Sequence, residues 1–385
     1  MTRVNSVWAI LVLTIIPGCG DSGAASVSPP EPPPVWVSLD AGTAATCGVA
    51  ADGRGYCWGQ KWAAGRGGPR TALIAAPREL PLRNWVTIEA GHSIACGLTR
   101  DHETYCWGFP TSGVDTVPGR IPGDAGFASI SVGDAHACGL TSEGMAYCWG
   151  EGFRGQTGTG QKQWVVRVAT PVEGDLRFRT LRAGPESTCA IDLNGDLFCW
   201  GGSEVVGEAV VPRLVQQGLG LISLEYGGNI GGRGLVCGQG GTGTLYCFGY
   251  EPHERLTQPT PAAVALPAAR SARQLSIGGV WTPLIGLPYS YQRHVCALAT
   301  TGGLTCWGTN AYGQVGDSST TDRDTPTPVT SLDNVTQVTA GGVHSCAVST
   351  DGVAYCWGAN NWGQLGIGSA GDPVTAPRRV ADPQP

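Results

Sequence analysis

The sequence is poor in charge, and in lysine above all. Charged residues make up 14% of the chain, Lys61 and Lys162 are its only lysines, and the formal net charge is −6. An average soluble protein is about 25% charged. Because a nucleic-acid surface needs clustered Lys and Arg to neutralise phosphates, this composition argues against one. The body of the chain also lacks any run of roughly twenty apolar residues, so no membrane-spanning helix is predicted there.

Motifs of familiar chemistry are missing too. No Cys-x-x-Cys, His-Glu-x-x-His, calcium-loop or Gly-x-Ser-x-Gly pattern occurs, so we predict no metal site, no cofactor and no catalytic residue. The six histidines are scattered, but His136, His294 and His344 each precede a cysteine by two residues. Recurrence at one position of a repeat indicates a structural hydrogen bond.

The sequence is rich in glycine, with 60 residues, and its cysteines repeat at a strict spacing. Seven times, two cysteines stand ten positions apart and are followed by an aromatic residue and a glycine. The aromatic residue is Trp in six repeats and Phe248 in the fifth. A period of about fifty residues is typical of solenoids, propellers and arrays. The pairs are Cys47 with Cys57, Cys96 with Cys106, Cys138 with Cys148, Cys189 with Cys199, Cys237 with Cys247, Cys296 with Cys306, and Cys346 with Cys356.

Each cysteine pair brackets a predicted β-hairpin. In the seventh repeat two short alternating runs flank Thr350-Asp351-Gly352, a three-residue loop whose last position suits glycine. With this loop Cys346 lies directly opposite Cys356, close enough for a disulfide, and the same count holds in all seven repeats. We therefore predict seven disulfides across hairpins, and disulfides persist in oxidising compartments.

Strand patterns around the hairpins predict the fold. One strand ending in glycine precedes each hairpin, and one proline-led strand follows it, as at Pro377–Val380. Four antiparallel strands in each of seven units predict an all-β, seven-bladed β-propeller over residues 35–385. From the connection lengths we expect the long link after Trp-Gly to cross between blades. Pro377–Val380 then enters the first blade beside Val35–Asp40, so that N- and C-terminal strands share a blade and close the ring.

Two repeats carry a longer motif after Trp-Gly. Trp307–Gly316 and Trp357–Gly366 resemble the WGxNxxGQLG motif of the regulator of chromosome condensation repeat family, and the Gly-to-His elements before Cys138 and Cys346 match as well. Repeats two, four and five depart from the motif. The resemblance covers about Val35 to Val380 and implies a seven-bladed propeller. It also implies a binding protein, because similar propellers include a bacterial β-lactamase inhibitor.

The N-terminus predicts export and a lipid anchor. Arg3, the apolar run Val7–Ile16 and the segment Ile16-Pro17-Gly18-Cys19 resemble a lipoprotein signal peptide (1–18) that is cleaved before a lipidated Cys19. Fifteen cysteines are seven pairs plus Cys19. Residues 19–34 then form a proline-rich tether of roughly 40 Å, at about 3.1 Å per residue. The predicted location is the bacterial cell envelope, at the outer membrane or cell surface, with the lipid as the only membrane contact.

The candidate binding surface is one face of the ring. Because neighbouring strands alternate in direction, the glycine-to-cysteine loop and the connection after Trp-Gly lie on one face in every repeat, and the hairpin tips lie on the other. Exposed aromatic residues are enriched in binding hot spots. The first face gathers seven candidates: Trp62, Phe153, Trp281, Tyr289, Tyr291, Tyr312 and Trp362.

The leading hypothesis is a monomeric, non-catalytic scaffold that binds an envelope or extracellular protein through this face. A carbohydrate- or peptidoglycan-binding propeller is the first alternative. An enzyme with its site at the central channel is the second, and it requires a polar cluster at the channel mouth. Nucleotide exchange on a small GTPase, the activity of the family's founding member, does not fit an exported protein. The sequence does not identify the partner.

Overall fold

The chain folds into an all-β, seven-bladed β-propeller in which each repeat builds one antiparallel sheet. The computed structural model describes residues 32–60, 73–108, 117–203, 207–229, 233–249, 272–281 and 291–384. Strands follow chain order within each sheet, with the first strand innermost. Six sheets have four strands, and the fifth has three within the described ranges. In the same ranges no helix has the length and apolar composition needed to cross a bilayer.

The strands of the first four blades have the following bounds. Blade 1 contains β1 (Trp36–Ala41), β2 (Ala45–Ala50), β3 (Gly55–Gln60) and β4 (Leu73–Glu79). Blade 2 contains β5 (Trp85–Ala90), β6 (Ile94–Thr99), β7 (Thr104–Gly108) and β8 (Gly119–Arg120). Blade 3 contains β9 (Ser129–Val132), β10 (His136–Leu140), β11 (Ala146–Gly152) and β12 (Gln163–Pro171). Blade 4 contains β13 (Phe178–Ala183), β14 (Ser187–Asp192), β15 (Leu197–Ser203) and β16 (Gly207–Gln216).

The remaining blades complete the ring. Blade 5 contains β17 (Leu221–Asn229), β18 (Arg233–Gly240) and β19 (Leu245–Gly249). Blade 6 contains β20 (Ala272–Trp281), β21 (Tyr291–Ala299), β22 (Leu304–Gly308) and β23 (Arg323–Pro328). Blade 7 contains β24 (Val335–Ala340), β25 (His344–Ser349), β26 (Ala354–Asn360) and β27 (Gly371–Arg379).

The central hairpin of every blade has the predicted register. The two cysteines of each repeat are Cα partners across the second and third strands. Each of these cysteines is at most 4% exposed, and the following aromatic residue is fully buried in six repeats and half-buried at Trp307. The disulfides and these rings therefore belong to the core of each blade.

All seven predicted disulfides are present, one in each blade. Their Cα atoms lie 4.1 Å apart in every case, as expected for residues directly opposite each other in a hairpin. From blade 1 to blade 7 the bonds join Cys47 to Cys57, Cys96 to Cys106, Cys138 to Cys148, Cys189 to Cys199, Cys237 to Cys247, Cys296 to Cys306, and Cys346 to Cys356.

The tip of each hairpin requires a left-handed backbone at its third loop position. Glycine occupies this position in six blades, with φ between 74° and 87°. In blade 2 the residue is His102, which adopts φ 60° in spite of its side chain. Its Nδ1–H donates to the Phe127 carbonyl oxygen at 3.0 Å, and this bond ties the tip to blade 3.

The fourth strand of blades 1, 3, 4, 6 and 7 differs from the prediction. It begins several residues before the proline, so that Pro377 lies inside β27. There the strand bulges, since Arg378 pairs with Cys356 whereas Val374 pairs with Gly358. Pro77 and Pro212 lie in equivalent bulges. A bulge leaves a residue outside the ladder, so it accommodates a residue that has no N–H to donate.

The prediction that N- and C-terminal strands share a blade is wrong. β1 forms a sheet with β2–β4, and β27 pairs with β26 in blade 7. The long link after Trp-Gly therefore lies within a blade, and the short link crosses between blades. The long link needs its length because it packs over the next blade before it returns to its own. In blade 7 the Gln364 carbonyl oxygen accepts hydrogen bonds from Thr46 Oγ1 at 2.8 Å and Trp58 Nε1 at 2.9 Å, both in blade 1.

Candidate functional site in the central channel and on the loop face

The innermost strands present seven equivalent side chains to the central channel, and we call them the channel ring. Each is the Cα partner of the first cysteine of its repeat. Four of the seven are charged, although they lie at the centre of the propeller. In blade order the channel ring consists of Asp40, Glu89, Ser131, Arg182, Glu225, Ser276 and Thr339.

The channel ring also joins the blades. Five of its members accept a hydrogen bond from a backbone N–H of the next blade, at 2.7–3.0 Å. Arg182 has no acceptor atom and instead donates to Glu225 Oε1 at 3.3 Å. These bonds fix the orientation of the ring side chains. The five pairs are Asp40 with Ala90, Glu89 with Val132, Ser131 with Ala183, Ser276 with Ala340, and Thr339 with Ala41.

Burial perturbs the titration of the charged ring members. Burial raises the pKa of Asp40 to about 6, against the opposing effects of the Ala90 N–H and Arg182. Burial, together with repulsion from Asp40, raises the pKa of Glu89 to about 8. The Glu225 carboxylate raises the pKa of Arg182 above its usual value. The ring thus sets three carboxyl groups against one guanidinium, and Glu89 carries a proton at neutral pH.

A cavity of about 250 Å³ lies inside the channel ring. A smaller space of about 90 Å³ continues it towards the loop face, the face of the glycine-to-cysteine loops. Seven glycines at the ends of the inner strands surround the smaller space. A Cβ atom on Gly91 would lie 1.8 Å from the Gly133 carbonyl oxygen, so the close approach of the blades requires glycine here. The glycines are Gly42, Gly91, Gly133, Gly184, Gly227, Gly278 and Gly341.

The mouth of the channel on the loop face is acidic. Asp134 follows the blade 3 glycine and lines the smaller space. Burial, with repulsion from Glu186 and Glu151, raises the pKa of Asp134 to about 7. Arg154 is the nearby cation, with Nε 3.8 Å from Glu186 Oε2. The polar cluster that an enzyme in this channel would need is therefore present.

The three recurrent histidines are structural, as predicted. His344 Nε2 lies 2.8 Å from Thr46 Oγ1 in the next blade. The Thr46 hydroxyl donates its single hydrogen to the Gln364 carbonyl oxygen, so His344 must donate its Nε2–H. Burial lowers the pKa of each histidine to about 3 or 4, which keeps the rings neutral. The two equivalent junctions are His136–Thr188–Gln156 and His294–Ser345–Gln314.

Three of the predicted aromatic candidates have described side chains, and all three lie on the loop face. Tyr312 is half-buried and packs beside Val280 and Val343, and Trp362 is half-buried in the long link of blade 7. Phe153 is half-buried as well, but it borders an open surface. Phe153 is therefore the best supported of the three as a contact residue.

Sequence reasoning missed a strongly exposed aromatic residue of this surface. Trp164, the second residue of β12, is 71% exposed, and its ring lies 5.8 Å from the Phe153 ring at an angle of 32°. The Arg154 guanidinium lies 5.5 Å from the centre of the Phe153 ring. An aromatic residue directly after the polar run Gln161–Gln163 was the signal that could have identified it.

Other predicted residues lie outside the described ranges. These are Cys19, Trp62 and Tyr289. For Trp281 and Tyr291 the backbone is described, and the two are Cα partners at the loop-face end of β20 and β21. Among the described residues no three His, Cys, Asp or Glu side chains are placed to hold one metal ion.

Comparison with known proteins supports the expected repeat type. The family model for the regulator of chromosome condensation (RCC1) repeat matches residues 301–348 and 351–384, and a second model of the same repeat matches residues 127–156 and 335–364. Human RCC1 domain-containing protein 1 is 28% identical over 194 residues, which are 40% of this chain and 51% of the relative. The ultraviolet-B receptor UVR8 of Arabidopsis thaliana is 29% identical over 212 residues, 49% of this chain and 43% of the receptor.

Solved structures support the fold over a longer stretch. Human WBSCR16 superposes with a TM-score of 0.66 at 19% identity, over 82% of this chain and 87% of that one. The ectodomain of the Physcomitrella patens receptor kinase CR4 superposes with a TM-score of 0.53 at 21% identity, over 84% of this chain and 73% of that one. The chain spans about half the length of the sequence relatives it matches. It therefore carries RCC1-type repeats, at residues 127–156 and 301–384, on a seven-bladed propeller.

Proposed function

We propose that this chain is an exported, lipid-anchored, non-catalytic scaffold that binds another protein through its loop face. The observation that carries the binding surface is the exposed ring of Trp164 beside Phe153 and Arg154. Trp, Tyr and Arg are the residues most enriched in binding hot spots, and an aromatic side chain brings a large contact area at a low entropic cost. The exposed Trp164 ring packs beside Phe153, whose ring in turn lies beside the Arg154 guanidinium, so this surface combines the residue types of a hot spot.

Export is supported by the cysteines. Seven buried disulfides, one in every blade, suit a protein that matures in an oxidising compartment. The N-terminal signal adds a lipid at Cys19 and places the protein at the bacterial envelope. Mass spectrometry of the mature N-terminus tests this part of the proposal. A diacylated or triacylated Cys19 supports it, and an unmodified Cys19 in exported protein contradicts it.

Site-specific photo-crosslinking tests the binding face. A photoreactive amino acid at position 164 should give a discrete crosslinked product on intact cells. The matched control is position 193 in the hairpin tip of blade 4, where Leu193 is also strongly exposed but lies on the opposite face. Products of equal yield from both positions, or from neither, would contradict loop-face binding.

The same experiment distinguishes protein binding from the first alternative, a carbohydrate- or peptidoglycan-binding propeller. A carbohydrate ligand would give no crosslinked protein, and Trp164 fluorescence would instead change on addition of glycan fragments. The exposed ring and the polar run Gln161–Gln163 before it are compatible with sugar stacking, so this alternative stays open.

The second alternative, an enzyme, would use the channel carboxyl groups, whose raised pKa values are typical of active sites. We favour binding because Asp40 and Glu89 each use an oxygen to hold the next blade. That bond restrains both groups in one orientation.

A further inference from the structure

We propose that the central channel binds an organic cation, a primary ammonium or a guanidinium group, between Asp40 and Glu89. The site lies on the axis of the propeller, away from Trp164, and does not depend on the loop-face partner proposed above.

The blades themselves supply the comparison that points to a ligand. Ser131, Ser276 and Thr339 accept the same inter-blade N–H with uncharged hydroxyl groups. The structural bond therefore does not require a carboxylate. Burying a carboxylate without a paired cation is costly. The two ionisable carboxyl groups at Asp40 and Glu89 are thus a burial cost that the fold alone does not explain, and pairing with a cationic ligand would explain them.

The ring leaves these two carboxyl groups available. Asp40 Oδ2 accepts from the Ala90 N–H and Glu89 Oε2 from the Val132 N–H. The cation of the ring, Arg182, bonds to Glu225 instead. In the described part of the chain neither Asp40 nor Glu89 takes part in an ion pair at contact distance.

The channel has room and suitable partners for a small ligand. The cavity of about 250 Å³ is also lined by hydroxyl and amide groups, among them Ser38, Thr87, Gln274 and Gln337. The two amides already bond the next blade at Val338 and Leu39 through their oxygen and one N–H. The hydroxyl groups and the second N–H of each amide can hydrogen-bond a ligand without adding charge. Burial raises the pKa of Asp134 at the mouth to about 7, and above that pH its carboxylate extends the negative potential to the loop face, where such potentials attract cations into clefts.

A cationic ligand must compete with protons. The ionisable groups that line the cavity are Asp40, Glu89, Arg182, Glu225 and Tyr226 from blades 1, 2, 4 and 5, whereas blades 3, 6 and 7 contribute neutral side chains. Because the pKa of Glu89 is raised to about 8, binding of a cation displaces a proton at neutral pH. Affinity should therefore rise between pH 6 and pH 8.

Calorimetric titration of the oxidised protein with butylamine and with agmatine tests the site. Both should bind, and 1-butanol, which has a hydroxyl where butylamine has its ammonium, should not. Glu89→Gln and Asp40→Asn should each weaken binding at least tenfold. Glu143→Gln, which removes an exposed carboxylate, should leave binding unchanged.

A capped peptide with a single central lysine distinguishes the source of the cation. Binding of the peptide as tight as that of butylamine assigns the site to a basic side chain of a partner. Binding of free amines alone assigns it to a small molecule. Either result supports the proposal.

The charge variants should keep the fold, since Gln and Asn retain an oxygen for the inter-blade N–H. Their thermal unfolding temperatures should equal or exceed that of the wild type, because a buried carboxyl group is gone. Three results would overturn the proposal: no heat with any amine at pH 8, equal binding of 1-butanol, or unchanged binding in Glu89→Gln.

Discussion

Blade 7 meets blade 1 through a polar junction, whereas blade 1 meets blade 2 through an apolar one. At the first interface His344 donates to Thr46, and the Gln364 carbonyl oxygen accepts from Thr46 and Trp58. At the second interface the two equivalent positions are Ala45 and Ala95, both fully buried. At both interfaces the two facing positions match in polarity.

The same matching holds at six of the seven interfaces. Between blades 4 and 5 the pair is mixed, since the equivalent positions are Ser187 and Val236, and Ser187 bonds to the Tyr226 hydroxyl instead. Histidine faces Ser or Thr at the 3/4, 6/7 and 7/1 interfaces. Ile94 faces Ala137 between blades 2 and 3, and Leu235 faces Val295 between blades 5 and 6. A buried polar group without a partner costs about 1–3 kcal/mol, so mixed pairs are disfavoured.

The largest expected effect comes from the tryptophan of the polar junction. Trp58→Ala should lower the free energy of unfolding by about 3–5 kcal/mol, because it leaves a large cavity in the core. It also removes the Nε1–H donor to Gln364. Denaturant unfolding followed by fluorescence measures the change. The exposed Trp164→Ala is the matched control and should change stability by less than about 0.5 kcal/mol.

Removal of a disulfide should lower the free energy of unfolding equally in a blade with a polar junction and in one with an apolar junction. Replacing Cys346 and Cys356 with Ala in blade 7, or Cys96 and Cys106 in blade 2, should cost about 2–3 kcal/mol each in the chain-entropy model. The bridge closes the same loop within one hairpin in both blades. Unfolding of the two double variants under the same conditions should give equal losses. A clearly larger loss in blade 7 would mean that the disulfide also supports the junction.

A double-mutant cycle isolates the polar contact itself. His344→Ala alone should cost about 1–3 kcal/mol, part of which is the hydrogen bond that the Thr46 oxygen no longer accepts, although its hydroxyl still donates to Gln364. The double variant His344→Ala with Thr46→Ala should cost less than the sum of the single changes, because it recreates the Ala–Ala pair of the next interface. Strict additivity would show that the two residues are not coupled.

The smallest effect near neutrality is the response to acid. Burial lowers the folded-state pKa of the junction histidines from 6.5 to about 3 or 4. Their contribution to stability is therefore complete above pH 6.5 and is lost as pH falls towards 3. Thermal unfolding temperatures between pH 7 and pH 4 should fall less steeply in the double variant His344→Ala with Thr46→Ala than in the wild type. Parallel curves would contradict the neutral, buried state of His344.

Much of the fold followed from local pattern. The ten-residue cysteine spacing and the glycine at the loop position specify the hairpin, and they do so within about a dozen residues of chain. The blade assignment of the fourth strand did not follow, because the lengths of the two links do not show which of them crosses between blades. The destination of the long link depends on contacts of Gln364 with blade 1, some three hundred residues away in the chain.

The candidate sites were harder to foresee. The channel ring shares a position in every repeat but not a residue type, so no motif links Asp40 to Glu89 or Arg182. Trp164 belongs to no repeated sequence motif, although it lies in β12, and it could be distinguished from a core residue only by its exposure. The three histidines were assigned correctly, because each repeats both in position and in residue type.

The sequence by itself determined the hairpins, their cysteine register and the number of blades, because these depend on spacing between near neighbours. Only the tertiary structure decided how the ring closes, which charges meet in the channel and which aromatic ring stays exposed. Those features arise from residues that are distant in the chain and are brought together only when seven separate sheets pack around one axis.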